Sequence, residues 1–155
     1  MMSKKIKVGI IGVGNCAKSL VEGVQYYSEK ETSANGMMRE DIGGYKAENI
    51  EFVCGFDIDE RKVNTPLGEA LKQRPNSAYD IVEKIKSKAP VYEGPVIDGY
   101  ALLMDAYPEK DRFLVSEKLR NSSEMNRVSW TKKKESEWKE KVINLINKHE
   151  VEVLI

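Results

Sequence analysis

A glycine-rich turn, set between an apolar run and a helical pattern, constrains the fold of this chain more than any other feature. Residues 6–11 read IKVGII, and residues 12–17 follow at once with the pattern G-x-G-x-x-A. Gly12 permits the tight turn, Gly14 lets backbone approach a pyrophosphate, and the small Ala17 allows the helix to pack closely on the strand. Free amides at the start of such a helix favour phosphate groups. The motif therefore predicts a strand, a turn and a helix that bind a dinucleotide.

Apolar runs and helical patterns alternate along the rest of the chain. Strands are predicted at residues 6–11, 50–56, 90–92 and 151–155, and residues 113–116 form either a brief strand or an extended connection. Helical spacing predicts a helix after the turn and further helices at residues 65–71, 79–88, 100–107 and 138–149. Strands that are apolar throughout are typical of a parallel sheet. We therefore expect an α/β fold, with a parallel Rossmann-type sheet and helices on both faces.

The composition excludes several classes of partner. The 25 lysines and arginines equal the 25 aspartates and glutamates, so no net charge attracts the chain to nucleic acid or to an anionic membrane. No run approaches the roughly 20 apolar residues of a membrane span, and the first apolar run is too short for a secretory signal. We therefore expect a cytoplasmic protein with no nucleic-acid partner and no membrane partner.

The scarcity of cysteine and histidine argues against a metal site. Cys16 and Cys54 resemble neither a disulfide framework nor ligands at metal spacing, and both are expected to be small buried core residues. His149 lies at the predicted end of a helix, where an imidazole interacts favourably with the negative end of the helix dipole. Neither a metal site nor a histidine-based catalytic triad is predicted.

An acidic residue is expected at the end of the second strand, where it holds the ribose hydroxyls of NAD. Asp57 occupies that place, although an insertion with loop chemistry at residues 29–49 exceeds the usual spacing of about twenty residues. Asp59 either shares the ribose or caps the next turn, and the cap is preferred. Arg61 and Lys62 are expected to be solvated side chains rather than ligands of a 2′-phosphate.

Residues 119–137 are the most polar stretch of the chain and include the lysine run 132–134. A loop, a solvated face and a nucleic-acid contact are all compatible with this composition. Lysines among nearby glutamates usually form a solvated helix end, so we interpret residues 119–137 as a polar connection.

Several blocks of sequence resemble one family. They look like the N-terminal part of prokaryotic-type myo-inositol-1-phosphate synthase, also called inositol-3-phosphate synthase, and comprise residues 6–17, 19–23, 26–27, 36–38, 41–45, 50–53, 56–59, 61–63 and 94–99. The insertion at residues 29–49 is expected in that family. The chain departs from the family at residues 75–77, where Pro-Asn-Ser stands in place of an Asn-Asn-Thr-like element.

The resemblance implies a tightly held NAD and a redox-neutral isomerase that converts D-glucose 6-phosphate to 1D-myo-inositol 3-phosphate. It implies that the cofactor is bound by backbone of the glycine turn and by acidic side chains. Asp98 matches a family position near the adenosine, and a helix N-cap explains it equally well. The cofactor-binding candidates are therefore Gly12, Gly14, Asn15, Cys16, Asp57, Asp59 and Asp98.

The family continues beyond the equivalent of residues 151–155, into more of the NAD-binding domain and a second domain that carries the catalytic lysines and oligomer contacts. No lysine of this chain matches a family catalytic position, so no catalytic residue is predicted. Residues 1–155 are expected to be the N-terminal portion of an NAD-binding Rossmann domain, to be inactive alone, and to associate with themselves or with a complementing chain. Glucose 6-phosphate is a partner only if the rest of the enzyme is supplied. The alternative is a non-catalytic nucleotide-binding module or a partner subunit of a split enzyme.

Overall fold

A computed structural model describes residues 4–29, 35–94, 102–115 and 132–155 of the chain. Four strands within these ranges form one parallel sheet in the order β3-β2-β1-β4, and they are β1 (Ile6–Ile11), β2 (Ile50–Asp57), β3 (Val91–Glu93) and β4 (Val153–Leu154). This order is the one that a Rossmann fold shows in its first strands. The predicted parallel α/β sheet is therefore confirmed.

The register between the two central strands fixes where the glycine turn lies. Ile11, the last residue of β1, pairs with Phe56, and the amide of Gly12 donates to the Phe56 carbonyl at 2.8 Å. Gly12 has a φ of +93°, in the left-handed region that favours glycine, so the chain can leave the sheet sharply. Helix α1 (Asn15–Glu29) begins directly after the turn. Asp57 consequently ends β2 beside the glycine turn.

The sheet carries an apolar cluster on each face. One cluster joins α1 and the short helix α2 (Leu67–Ala70) to the sheet, and its buried members include Ile10, Val13, Ala17, Val21, Leu67, Leu71 and Val91. The second cluster joins helix α3 (Lys132–Lys148) to the sheet, and it contains Cys54, Phe56 and Val142 with Trp138, Leu145 and Ile146 packed around them. Helices therefore cover both faces, as the apolar strands predict.

The residues of α3 that pack on the sheet are those predicted from their helical spacing, and a polar contact lies at the C-terminal end of the helix. His149 follows the last residue of the helix, and its Nε2 lies 2.7 Å from the hydroxyl of Tyr92 on β3. Burial and the neighbouring Lys148 lower the pKa of His149 below its ordinary value of 6.5. The sequence assigned residues 132–137 to a polar connection, but they form the first turns of this helix. Residues 116–131 lie outside the described residues.

The predicted helix at residues 79–88 is wrong. This segment has no regular secondary structure, with bends at residues 81–84, and Val82 and Ile85 still pack against the core. Side chains of α1 form hydrogen bonds with backbone groups that would pair with one another in a helix. Gln25 bonds the Lys84 carbonyl and the Lys86 amide at 2.9 and 2.8 Å. Tertiary hydrogen bonds to α1 therefore replace helical ones.

The predicted helix at residues 100–107 is also wrong in its described part. Residues Leu102–Ala106 form a 3₁₀ helix, and Leu103 and Tyr107 are exposed rather than on an apolar face. Pro108 disfavours helical backbone at Tyr107, which ends the element. Residues 113–115 are an extended connection with a single bridge to Asp59, and residues 95–101 lie outside the described residues.

The last strand is shorter than the predicted 151–155. Only Val153–Leu154 have strand geometry, although the Glu152 and Ile155 amides also bond β1 carbonyls. None of the helices in the described ranges is long and apolar enough to cross a membrane. Within the same ranges, no three His, Cys, Asp or Glu side chains lie close enough together to hold a metal ion.

Candidate nucleotide-binding site

A cavity of about 290 Å³ opens where β1, β2 and β3 end. In open α/β sheets ligands bind outside the carboxyl ends of the strands, and the cavity lies at that edge. Its lining is largely apolar apart from one carboxylate, and it comprises Ile11, Gly12, Gly14, Phe56, Asp57, Ile58, Gly94, Phe113 and Trp138. The structure thus brings three of the sequence-predicted site residues, Gly12, Gly14 and Asp57, to one cavity.

The turn leaves room for a ligand above Gly14. A side-chain carbon built on Gly14 would meet no heavy atom of the described residues within 4 Å, so these residues leave this face of the turn open. The amide of Lys18 donates to the Gly14 carbonyl at 2.9 Å, which makes the first turn of α1. Amides before that bond have no helical acceptor, because the first four donors of any helix lack one. An anionic group above Gly14 would meet these donors and the positive end of the helix dipole.

Asp57 organises the turn from the end of β2. Its Oδ2 accepts a hydrogen bond from the Val13 amide at 2.7 Å, and its Oδ1 accepts one from the Asp59 amide at 2.8 Å. The side chain is largely buried, and the ammonium of Lys62 lies 3.9 Å from Oδ2. Each carboxylate oxygen can accept a second hydrogen bond. Asp57 therefore retains the capacity to accept ribose hydroxyls while it holds the turn.

Lys62 contradicts the expectation of a solvated side chain. It is fully buried, and its Nζ donates to the Val13 carbonyl at 2.8 Å and to Asn76 Oδ1 at 3.0 Å. Burial lowers the pKa of Lys62, while the carboxylate of Asp57 acts in the opposite direction. The amide nitrogen of Asn76 donates to the Val13 carbonyl at 3.1 Å. Sequence reasoning missed both side chains, because no local pattern links them to Val13, which lies 49 positions before Lys62 and 63 before Asn76.

Asp59 and Arg61 form a structural ion pair behind the site. Asp59 is fully buried, and its two oxygens accept the Arg61 guanidinium at 2.8 and 2.5 Å and the Arg61 amide at 3.0 Å. Arg61 also donates to the Glu109 and Arg112 carbonyls at 3.0 and 2.7 Å. The hydrogen bond and charge of Asp59 raise the pKa of Arg61. The geometry fits the capping role of Asp59, and the expectation that Arg61 is solvated is wrong.

The remaining candidates differ in their surroundings. The side-chain oxygen of Asn15 accepts the Ser77 and Ala78 amides, each at 2.8 Å, so a ligand would meet the side-chain amide nitrogen or the backbone of this residue. Cys16 is exposed on the first turn of α1, which corrects its predicted burial, because helical rotation turns the position away from the sheet. Cys54 is buried as predicted, and burial raises the pKa of its thiol. Asp98 lies outside the described residues.

Trp138 is a cavity residue that the sequence assigned only to the helix face. It lines the cavity from α3, and its indole nitrogen is buried with no hydrogen-bond partner among the described residues. A buried donor without an acceptor is rare in folded proteins. The helical spacing of Trp138 predicts the packing of this residue but carries no signal for its position beside the glycine turn.

Comparison with known proteins finds relatives that are similar to this chain in sequence. Over 97 residues, or 61% of its length, the chain is 40% identical to the inositol-3-phosphate synthase of Mycolicibacterium smegmatis. Identity is 36% over 99 residues to the synthase of Mycobacterium tuberculosis and 39% over 101 residues to that of Corynebacterium glutamicum, which is 63% and 64% of the chain. The chain is related in sequence to inositol-3-phosphate synthases. It spans 27% of the length of the first two synthases and 28% of the third. No protein-family model matches the chain.

Solved structures share the fold over nearly the whole chain. A myo-inositol-1-phosphate synthase-related protein from Thermotoga maritima matches with a TM-score of 0.67 and 19% identity, over 97% of this chain and 33% of that protein. The crystal structure of Ari2 matches with a TM-score of 0.63 and 21% identity, over 97% of this chain and 37% of that protein. At these identities the likeness establishes the fold alone, and the resemblance to synthases rests on the sequence relatives.

Proposed function

We propose that this chain binds the ADP-ribose half of NAD and serves, in the cytoplasm, as the NAD-binding part of an inositol-3-phosphate synthase. The observation that carries the proposal is the meeting of the glycine turn and the Asp57 carboxylate at one cavity on the carboxyl edge of a parallel sheet. Sequence similarity to synthases from three bacteria supports it.

Each part of ADP-ribose has a matching group in the cavity. The open face of Gly14 and the first amides of α1 suit the pyrophosphate. The spare lone pairs of Asp57 suit the ribose hydroxyls, and the apolar side chains of Ile58 and Phe113 suit an adenine ring. The described strands supply only the first half of a dinucleotide fold, which holds mainly adenosine and pyrophosphate. We therefore expect weak binding of NAD by the chain alone.

Calorimetric titration with ADP-ribose tests this proposal. Gly14→Val places a side chain in the open space where the phosphates would lie, so it should abolish the heat of binding while the chain stays folded. Gly23→Ala is the control, because a side-chain carbon at Gly23 also meets no described atom within 4 Å but lies in the middle of α1. Unchanged binding in Gly14→Val, or no binding by the unmodified chain, would refute the proposal.

Asp57 is also expected to favour NAD over NADP. Its carboxylate accepts ribose hydroxyls but repels a 2′-phosphate, and Lys62 at 3.9 Å offsets part of that repulsion. Arg61 is held by Asp59 and is therefore not free to attract the phosphate. Asp57→Asn keeps a hydrogen-bond acceptor and removes the negative charge. In parallel titrations with NAD and NADP, it should therefore bring the two affinities closer together. Tighter binding of NADP by the unmodified chain would contradict this assignment.

The activity of the relatives would require polypeptide that these 155 residues do not include. When bound, NAD supplies a reversible hydride acceptor for the conversion of D-glucose 6-phosphate to 1D-myo-inositol 3-phosphate. Among the described residues of the cavity, Asp57 is the one ionisable side chain, and it is engaged by Val13 and Lys62. We expect no turnover by the chain alone, association through its exposed β4 edge, and turnover once the rest of a synthase is added. A chain that binds NAD but gains no activity with that polypeptide would instead be a non-catalytic nucleotide-binding module.

A further inference from the structure

Two lysines are buried near the glycine turn, but only one of them holds it. Lys62 is fully buried, and its ammonium bonds the Val13 carbonyl at 2.8 Å. Lys18 is almost as buried, yet its ammonium bonds the Ala78 carbonyl and the Asp80 carboxylate, the latter at 2.7 Å. The pair offers a comparison within one molecule, because the two side chains have the same chemistry and burial but different partners.

The bonds to Val13 fix the peptide groups on both sides of it. Asp57 accepts the amide of Val13 at 2.7 Å, and Lys62 donates to its carbonyl. In a planar trans peptide the carbonyl and the following amide point in opposite directions. A Val13 carbonyl that is held towards buried Lys62 therefore directs the amide of Gly14 away from Lys62, and Gly14 itself lines the cavity.

We propose that Lys62 is a positioning residue, which sets the orientation of the Val13–Gly14 peptide so that the Gly14 amide can donate to the pyrophosphate of a bound dinucleotide. This inference rests on the proposed nucleotide binding and adds a specific cause for it. Lys62 does not touch the ligand in this assignment, since it is fully buried, does not line the cavity, and has Asp57 and Asn76 beside its ammonium.

The chemistry of the lysine suits this role better than an apolar side chain would. Val13 is completely buried, so water cannot satisfy its carbonyl. Asn76 alone would leave that carbonyl with a neutral donor at 3.1 Å. A charged donor makes a stronger bond, and Asp57 beside it offsets the cost of burying the ammonium. The carbonyl is therefore held by a charge-assisted bond in a fixed direction.

Titrations of Lys62→Met and Lys18→Met with adenosine and with ADP-ribose separate positioning from stability. Both variants remove a buried ammonium, so both are expected to unfold more easily. Lys62→Met should weaken ADP-ribose binding by about tenfold or more and change adenosine binding by less than about twofold, because only ADP-ribose uses the turn amide. Lys18→Met should leave the ratio of the two affinities unchanged. An equal loss for both ligands in Lys62→Met, or the same ratio change in Lys18→Met, would overturn the assignment.

If Lys62→Met does not fold, Asn76→Ala tests the same positioning role. Asn76 is partly buried and shares the Val13 carbonyl with Lys62, so its removal should shift the same affinity ratio in the same direction by a smaller factor. An unchanged ratio in Asn76→Ala would overturn the positioning role. Failure of the unmodified chain to bind ADP-ribose would refute the proposed function itself, which keeps the two outcomes distinct.

Discussion

Replacing Gly68 with alanine should destabilise the chain, although alanine is the better helix former. Gly68 lies in α2, and a side-chain carbon built there would be 2.6 Å from the Ile85 carbonyl oxygen and 2.9 Å from the Ser87 carbonyl oxygen. Both contacts are shorter than van der Waals distance. Both are with backbone, which cannot rotate away as a flexible side chain can. The substitution must therefore move α2 away from residues 85–87.

The expected size of the effect follows from opposing contributions. Alanine gains about 0.5–1 kcal/mol over glycine within a helix. Overpacking of a buried contact typically costs about 1–3 kcal/mol. The movement also stretches bonds from the Gly68 amide to the Ser87 carbonyl and from the Leu67 amide to the Ala89 carbonyl, now 2.9 and 2.7 Å, and each such bond contributes about 0.5–1.5 kcal/mol. We expect a net loss of about 2 kcal/mol in the free energy of unfolding.

Urea unfolding, followed by circular dichroism, measures this change against a control of opposite sign. Gly23 lies inside α1 with open space around it, so Gly23→Ala should raise the free energy of unfolding by about 0.5–1 kcal/mol. The two substitutions are chemically identical and differ only in what the new methyl group meets. A Gly68→Ala chain as stable as the unmodified one would show that α2 does not pack against residues 85–87 as described.

Three further changes test other parts of the fold by the same unfolding measurement. Phe56→Ala removes a buried ring that contacts Tyr92, and it should cost about 3–5 kcal/mol; a loss below about 1 kcal/mol would contradict the packing of α3 on this face. Burial and the charge of Lys148 lower the pKa of His149 in the folded chain. The unfolded chain therefore binds more protons near pH 6, and the free energy of unfolding should rise with pH up to about 6.5. His149→Gln should remove that contribution, and an unchanged pH profile would refute it. Glu22 is fully buried, and one of its oxygens has no partner in the part of the chain that the structure describes. Glu22→Gln, which removes the charge, should stabilise the chain by about 1 kcal/mol; a loss of stability would point to a partner for that oxygen.

Local patterns predict the parts of the fold that local interactions determine. The residues of β1, the glycine turn and α1 adjoin one another in the sequence, and the requirement for φ above zero at Gly12 is met by glycine. The α3 face is likewise set by the helical repeat of its own residues, from Trp138 to Ile146. In each case the interactions that specify the element lie within one short window of sequence.

The helix predicted at residues 79–88 fails because its competing partners are distant in sequence. Val82 and Ile85 have the spacing of an apolar helix face, and both do pack against the core. The backbone around them is instead bonded by side chains of α1, about sixty residues earlier. Gln25 bonds the Lys84 carbonyl and the Lys86 amide, and Glu22 accepts the Ile81 amide at 3.1 Å. A spacing rule identifies which side chains are buried here. It cannot identify the hydrogen bonds that decide how the backbone buries them.

The misassignment of Lys62 has a different origin, which lies in the glycine turn itself. A turn that brings backbone to a ligand must leave the helix and sheet ladders, and the peptide groups at its centre then lose their regular partners. Val13 lies between the two glycines, is apolar, and is completely buried, so its amide and carbonyl need one acceptor and one donor from side chains. Asp57, which the sequence assigned to the ribose, accepts the Val13 amide, and Lys62 donates to the Val13 carbonyl. In this chain, the apolar residue between the two glycines is therefore held by a buried acid and a buried base, although charge alone suggests solvated side chains.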